Sequence, residues 1–131
     1  MAKLWMETSL IRAEYSNSDA ATINTPINWS TLVEDTDSCV TTGTGTWKFT
    51  APKAGVYQIT ALCIVSSGHI VTLYKNGSAF KQGSDGSSSG RVQLVTTVRL
   101  AVNDTIDVRD TTGTASSSPT ASYIQITRIG S

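Results

Sequence analysis

The residues able to do chemistry are few, and their spacing limits what they can do. His69 is the only histidine. A nucleophile needs a base beside it and a third group to orient that base, and nothing in the sequence supplies such a set around one imidazole. Gly86 to Gly90 fits Gly-x-Ser-x-Gly in letters, but no helix follows to make it a nucleophile elbow, and no His-Glu-x-x-His pair or P-loop occurs. Glycoside hydrolysis needs two carboxylates, yet no pair stands out. The run Glu34-Asp35-Thr36-Asp37-Ser38 has the carboxylates of a calcium loop without the glycine and closing glutamate of an EF-hand, so it reads as a solvated loop. Cys39 and Cys63 suffice for one disulfide but fit no zinc spacing. In a chain assembled in a reducing cytoplasm they stay unpaired, with Cys63 acting as a small core hydrophobe. The segment from Gly83 to Gly90 has the glycines of a phosphate cradle but neither its lysine nor a following helix. The expectation is a protein with no catalytic residues, no metal and no cofactor.

What remains is recognition, which depends on the elements that hold exposed groups in place. The stretch from Gly45 to Val65 organises them. Trp47 and Phe49 alternate with Thr46, Lys48 and Thr50, giving a strand with one aromatic and one polar face. Pro52 has no N–H for a ladder and Gly55 tolerates backbone angles that side chains resist, so Ala51 to Gly55 is a corner. The next strand sets Tyr57, Ile59, Ala61, Cys63 and Val65 on one face. Val56, Gln58, Thr60, Leu62 and Ile64 line the other, which starts polar and ends apolar. A second face that turns apolar asks for cover from outside the strand's own core, and a subunit partner is the obvious source.

The other strands follow the same period of two. Leu10 to Ser16 reads as a strand and Asn17 to Thr25 as a loop. Pro26 opens the next strand, where Ile27 and Trp29 share a face and Leu32 and Val33 break the period as a bulge does. Asn76-Gly77 is a tight-turn pair. Arg91 to Ala101 is the longest clean strand, and Asn103-Asp104 turns into Ile106 and Val108. Ala121 to Ile129 is apolar on both faces, with Tyr123 and Ile129 on one and Ile124 and Ile126 on the other. Gly83 to Gly90 and Thr111 to Thr120 are exposed loops. A count of about nine or ten strands, without helix or repeat, makes an all-β antiparallel sandwich. A length of 131 residues suits one domain. Balanced charge, 10 basic against 10 acidic residues, leaves no footprint for nucleic acid. No apolar run is long enough for membrane insertion.

Three segments carry a resemblance. Phe49, Pro52, Gly55 and Tyr57 form a Phe-x-x-Pro-x-x-Gly-x-Tyr pattern similar to the signature of the complement C1q-like domain, within the C1q/tumour-necrosis-factor superfamily. Leu73-Tyr74-Lys75-Asn76-Gly77 resembles that family's strand ending in Lys-Asn-Gly. The segment from Val98 to Val108 resembles its Leu-x-x-Gly-Asp-x-Ile/Val-x-Val run, with Asn103 where the family usually has glycine. The likeness spans Leu10 to Ile129, so residues 1–9 form an arm and 10–131 the domain. It implies a jelly roll of about ten strands, a homotrimer packed around a threefold axis with the terminal strands near it, and no enzymatic role. The candidate trimer interface is Tyr57, Ile59, Leu62, Ile64, Tyr123, Ile124 and Ile126. Leu4, Trp5 and Met6 read either as packing on their own domain or as an arm docked on another subunit or a capsid. Ser84, Asp85, Ser87, Ser88, Thr112 and Thr114 are the candidate recognition-loop residues.

Animal C1q-like proteins are secreted and usually carry a collagen-like stalk. This N-terminus shows no apolar signal segment, and no Gly-X-Y repeat occurs. Taken as a full-length chain, it is expected to be made in a host cytoplasm and, by analogy with the domain's other home, to reside in the virion of a tailed bacteriophage. A capsid decoration or head-surface protein is favoured, because a knob with a short arm needs no shaft; its partners are then other virion proteins, capsid or tail subunits. The alternative is the receptor-binding tip of a tail fibre or spike, touching a host surface glycan or protein. A third reading is a secreted C1q-like ligand or lectin, for which the acceptor sites at Asn28, Asn76 and Asn103 permit glycosylation.

Overall fold

The computed structural model describes residues 10–19, 22–65, 69–86, 90–111 and 122–131. Among the described residues ten strands run in order: β1 (Arg12–Ser18), β2 (Trp29–Asp35), β3 (Val40–Thr41), β4 (Lys48–Thr50), β5 (Gly55–Val65), β6 (His69–Lys75), β7 (Ser78–Gly86), β8 (Gly90–Leu100), β9 (Thr105–Asp110) and β10 (Tyr123–Gly130). They form two five-stranded sheets, ordered β2-β1-β10-β5-β8 and β3-β4-β9-β6-β7. Every strand pairing is antiparallel. No helix occurs among the described residues. The chain crosses repeatedly between the layers, which is the jelly-roll arrangement expected from the resemblance.

Alternation along the strands fills the space between the sheets. Tyr57, Ile59, Ala61 and Cys63 from β5 meet Val92, Leu94, Val98 and Leu100 from β8 and Ile124 and Ile126 from β10; all are buried. From the opposite sheet come Phe49, Val71, Leu73, Ile106 and Val108. Aromatic contacts tie the layers: Tyr57 stands edge-on to Phe49 at 5.5 Å, and Tyr15 edge-on to Trp47 at 5.9 Å.

The family-like motifs are corners and ties. The Tyr57 hydroxyl donates to the Lys53 carbonyl at 2.7 Å, pinning the Pro52 corner to the start of β5. Gly55 has φ +156°, and a Cβ there would sit against the Gly130 carbonyl and 2.7 Å from Arg128 Nε. Arg128 needs that space, since its Nε and Nη2 donate to the Ala54 carbonyl at 3.1 and 2.9 Å. Asn76 joins two segments distant in sequence. Its Oδ1 accepts from the Thr105 backbone N–H at 2.8 Å and its Nδ2 donates to Asp104 Oδ1 at 3.0 Å. The other Asp104 oxygen accepts from the Ala101 N–H at 2.8 Å. Asn103 takes φ 71°, the left-handed conformation that explains glycine at this place in the family pattern.

Some expected boundaries move. The first strand is Arg12–Ser18 rather than Leu10 to Ser16. Pro26 does not open β2: it forms an isolated bridge with Arg109, while the Asn24 and Ile27 N–H groups donate to the Asp110 and Val108 carbonyls. The chain thus runs along the β9 sheet first and joins the other sheet at Trp29. The Leu32–Val33 irregularity is present, as a register shift where Glu14 faces Glu34 and Tyr15 faces Leu32. Gly83 and Gly86 lie within β7 rather than in a loop. A Cβ on Gly83 would lie 2.6 Å from the Gln93 carbonyl oxygen, so glycine lets the β7 and β8 backbones close the sandwich edge.

Candidate subunit interface

One face of the β2-β1-β10-β5-β8 sheet is spent on the subunit's own core, and the other is the candidate interface. Alternation in β5 leaves Leu62 and Ile64 half-buried and Gln58 exposed on that outer face, while alternation in β10 leaves Tyr123 and Gln125 half-buried there. Register brings these residues together. Tyr123 lies opposite Leu62, Leu62 opposite Gln93, and Ile64 opposite Arg91. In the same two-strand ladder Thr60 faces Val95, whose side chain is 55% exposed.

Seven residues were expected at the interface, and the structure divides them. Tyr57, Ile59, Ile124 and Ile126 are each no more than 1% exposed within one subunit, so they have no surface to give a partner. Their parity in β5 and β10 assigns them to the sandwich, and the interface reading is corrected there. Leu62, Ile64 and Tyr123 remain. Sequence reasoning missed Val95, although its signal was present: it is the one aliphatic residue among Gln93, Thr97 and Arg99 on the polar face of β8. Leu32 and Val33, read from the sequence only as a bulge, are 60% and 55% exposed on β2, the opposite edge of the sheet from β8.

The other end of the same face is polar and already organised. Arg12 donates from Nη2 to Glu14 Oε1 at 2.6 Å, and its Nε lies 3.0 Å from Glu34 Oε1. Gln125 Nε2 donates to the same Glu14 oxygen at 3.0 Å, and Arg12 Nη1 to Thr127 Oγ1 at 3.3 Å. Such half-exposed pairs contribute about 0–1 kcal/mol each in water, so they orient the face more than they stabilise it. The surface therefore offers an apolar patch at one end and fixed hydrogen-bonding groups at the other.

The acidic run beside β2 is not simply solvated. Asp35 accepts from the Tyr15 hydroxyl at 3.0 Å, from the Cys39 and Val40 N–H groups at 3.0 and 3.2 Å, and from the Cys39 thiol at 3.3 Å. Burial first, and then the Asp35 carboxylate, pushes both the Tyr15 hydroxyl and the Cys39 thiol up to about 12. Burial likewise pushes Cys63 up to about 12. Both cysteines are free thiols. Among the described residues no group of three or more His, Cys, Asp or Glu is placed to hold a metal ion.

The candidate loops are only partly within view. Ser84 and Asp85 lie on the backbone of β7; Ser87, Ser88, Thr112 and Thr114, like Leu4, Trp5 and Met6 of the arm, lie outside the described residues. Their departure points do converge. Gly86 ends β7 opposite His69, and the Thr111 N–H following β9 donates to the Ile70 carbonyl at 2.9 Å. Both loops therefore leave from the end of the sandwich where β6 begins.

No protein-family model matches the chain, and no curated protein matches it. Solved structures do. Murine APRIL superposes with a TM-score of 0.68 at 11% identity, covering 92% of this chain and 99% of that one. Eiger TNF from S. frugiperda gives 0.68 at 18% identity, covering 93% and 94%. The globular domain of zebrafish complement 1qA gives 0.65 at 15%, covering 92% and 95%. At these identities the likeness shows the fold, a C1q/TNF-like jelly roll in two antiparallel sheets.

Proposed function

We propose that this jelly roll is one subunit of a non-enzymatic homotrimeric knob that serves structure and recognition on a bacteriophage virion, as a capsid decoration or head-surface protein. The observation that carries the assembly is the outer face of the β2-β1-β10-β5-β8 sheet. Leu62, Ile64, Tyr123 and Val95 make an apolar patch there, on the half of the sheet formed by β10, β5 and β8. An identical neighbour covers such a patch without a second gene, and cyclic closure leaves no sticky end. Residues 1–9, through Leu4, Trp5 and Met6, then dock the knob on other virion proteins, and the two loops that depart from the β6 end serve recognition.

The virion setting has support in the side chains. Two unbridged thiols suit a chain assembled in a reducing cytoplasm. A secreted ligand is the second reading, since the fold is equally shared with a complement protein and a TNF. Glycosylation at two of its three acceptor sites would be costly, however. Asn28 Nδ2 donates to Asp19 at 2.6 Å and Asn76 Nδ2 to Asp104 at 3.0 Å, and a glycan on either nitrogen disrupts a bond the fold uses.

The test is mass spectrometry and immunogold imaging of purified particles, combined with the oligomeric state of the recombinant chain. Head labelling and a trimer support the reading. Labelling at a fibre tip moves the knob to the tail. A trimer absent from particles and recovered from culture medium supports the secreted ligand.

A further inference from the structure

A second surface, on the sheet facing away from the candidate interface, has the form of a small ligand site. Between β6 and β7 lies a depression of about 270 Å³ lined in part by Tyr74, Phe80, Lys81 and Gln82, with Asn24 and Thr111 at its sides. Three separate features build it. The loop carrying Asn24 is fixed to β9, since the Asn24 N–H donates to the Asp110 carbonyl at 2.9 Å and its own carbonyl accepts from Arg109 Nη1 at 3.1 Å. The Arg109 guanidinium lies 4.1 Å from the Tyr74 ring centroid and is held by Asp107 at 2.7 Å. Together they lock the ring in position. Register shifts between Ile70 and Thr72 and between Leu73 and Tyr74 disturb the pairing with β7, and Phe80 stands 44% exposed beside the break.

The geometry points to a carbohydrate subsite, taking one pyranose ring that carries a carboxylate, such as a uronic acid. Sugar C–H groups pack on aromatic faces, which Tyr74 and Phe80 provide. Sugar hydroxyls need donors and acceptors at several angles, which the Asn24 and Gln82 amides provide, with the Thr111 hydroxyl, whose own proton goes to the Ile70 carbonyl at 3.1 Å, as an acceptor. The volume lies just under the roughly 300–1,000 Å³ of drug-sized ligand sites, which suits a single ring. Charge selects the acidic sugar. Among the described residues, the one ionisable group lining the depression besides the Tyr74 phenol is Lys81, whose ammonium lies 5.9 Å from the Phe80 centroid. Asp107, which lies opposite Tyr74 in the β6–β9 pairing, is already paired with Arg109. Its lining residues named here all belong to one chain, so the site is tested separately from the trimer.

The experiment is a titration of the ¹⁵N-labelled full chain with methyl β-glucuronide and, in parallel, methyl β-glucoside, followed by amide chemical shifts. The expected result is movement at Tyr74, Phe80 to Gln82 and Thr111 with the glucuronide, and weaker binding of the glucoside. Gln82→Ala is expected to weaken the glucuronide roughly tenfold, one hydrogen bond's share. Lys81→Met is expected to erase the preference between the two sugars. Both side chains are exposed, so the remaining spectrum and the melting curve stay unchanged; if Gln82→Ala alters them, Phe80→Ser gives the same reading. No shift at these positions with either sugar overturns the site, and equal binding of both by the unaltered chain overturns the assignment of an acidic sugar.

Discussion

Replacing Tyr57 by phenylalanine and by alanine separates two contributions that meet at the Pro52 corner. The ring is fully buried, stands 5.5 Å from Phe49, and its hydroxyl donates to the Lys53 carbonyl at 2.7 Å. Tyr57→Phe keeps the ring and the edge-on contact and removes one neutral hydrogen bond, a loss of about 1 kcal/mol. Tyr57→Ala removes the ring as well and leaves a cavity between the sheets, a loss of roughly 3–5 kcal/mol. The assay is equilibrium unfolding in urea at one fixed protein concentration, because association adds to apparent stability. Both variants should lower the midpoint with the slope unchanged, alanine by at least about three times as much. An alanine variant as stable as the phenylalanine variant would refute the reasoning, since the ring would then contribute no packing. Equal and large losses would show that the corner bond, not the core, is what Tyr57 supplies.

Gly55→Ala should cost roughly 1–3 kcal/mol, because the new methyl meets the Gly130 backbone carbonyl at a positive φ and crowds the Arg128 guanidinium; thermal unfolding at fixed concentration reads it. The hydrogen bond from Asn76, then that from the Ala101 N–H, then Lys75, holds Asp104 below its ordinary value of 3.8. A depressed carboxyl contributes stability that is complete above its unfolded value and lost as pH falls through the folded one. Acid unfolding below that ordinary value should therefore be shallower in Asn76→Ala than in the unaltered chain. Cys39 should resist alkylation: a rise from 9.0 to about 12 leaves about a thousandfold less thiolate near neutral pH, and a rapid native reaction followed by mass spectrometry would contradict it.

Much of the sandwich was legible because its strands alternate cleanly. Trp47 and Phe49, the odd positions from Tyr57 to Cys63, and Val92, Leu94, Val98 and Leu100 of β8 went to the core as their period indicates, with Thr96 half-buried between them. Asn103 was readable as a departure from the family's glycine, and its positive φ explains how asparagine fills the place. Pro26 misled because its bridge to Arg109 joins segments 83 positions apart, which no local pattern encodes. The parity of the candidate interface strands was illegible for a related reason. Alternation says that β5 and β10 each have two apolar faces, but not which parity faces inward; register with β8 and β1 settles that, assigning Tyr57, Ile59, Ile124 and Ile126 to the core. The Tyr74–Phe80 depression left no local signal, since it arises from register shifts in β6 and β7 and from a loop held to β9.

The central claim is that the outer face carrying Leu62, Ile64, Tyr123 and Val95 makes a trimer, and sedimentation equilibrium of the unaltered chain beside Ile64→Asp tests it most directly. Ile64 is half-buried at the end of β5, so a carboxylate there is accommodated in a lone subunit but desolvated against a partner. The account predicts the mass of three subunits for the unaltered chain at micromolar concentration. For Ile64→Asp it predicts a folded monomer with an unchanged β-sheet circular dichroism spectrum. A monomeric unaltered chain, or an Ile64→Asp variant that remains fully trimeric, would contradict it.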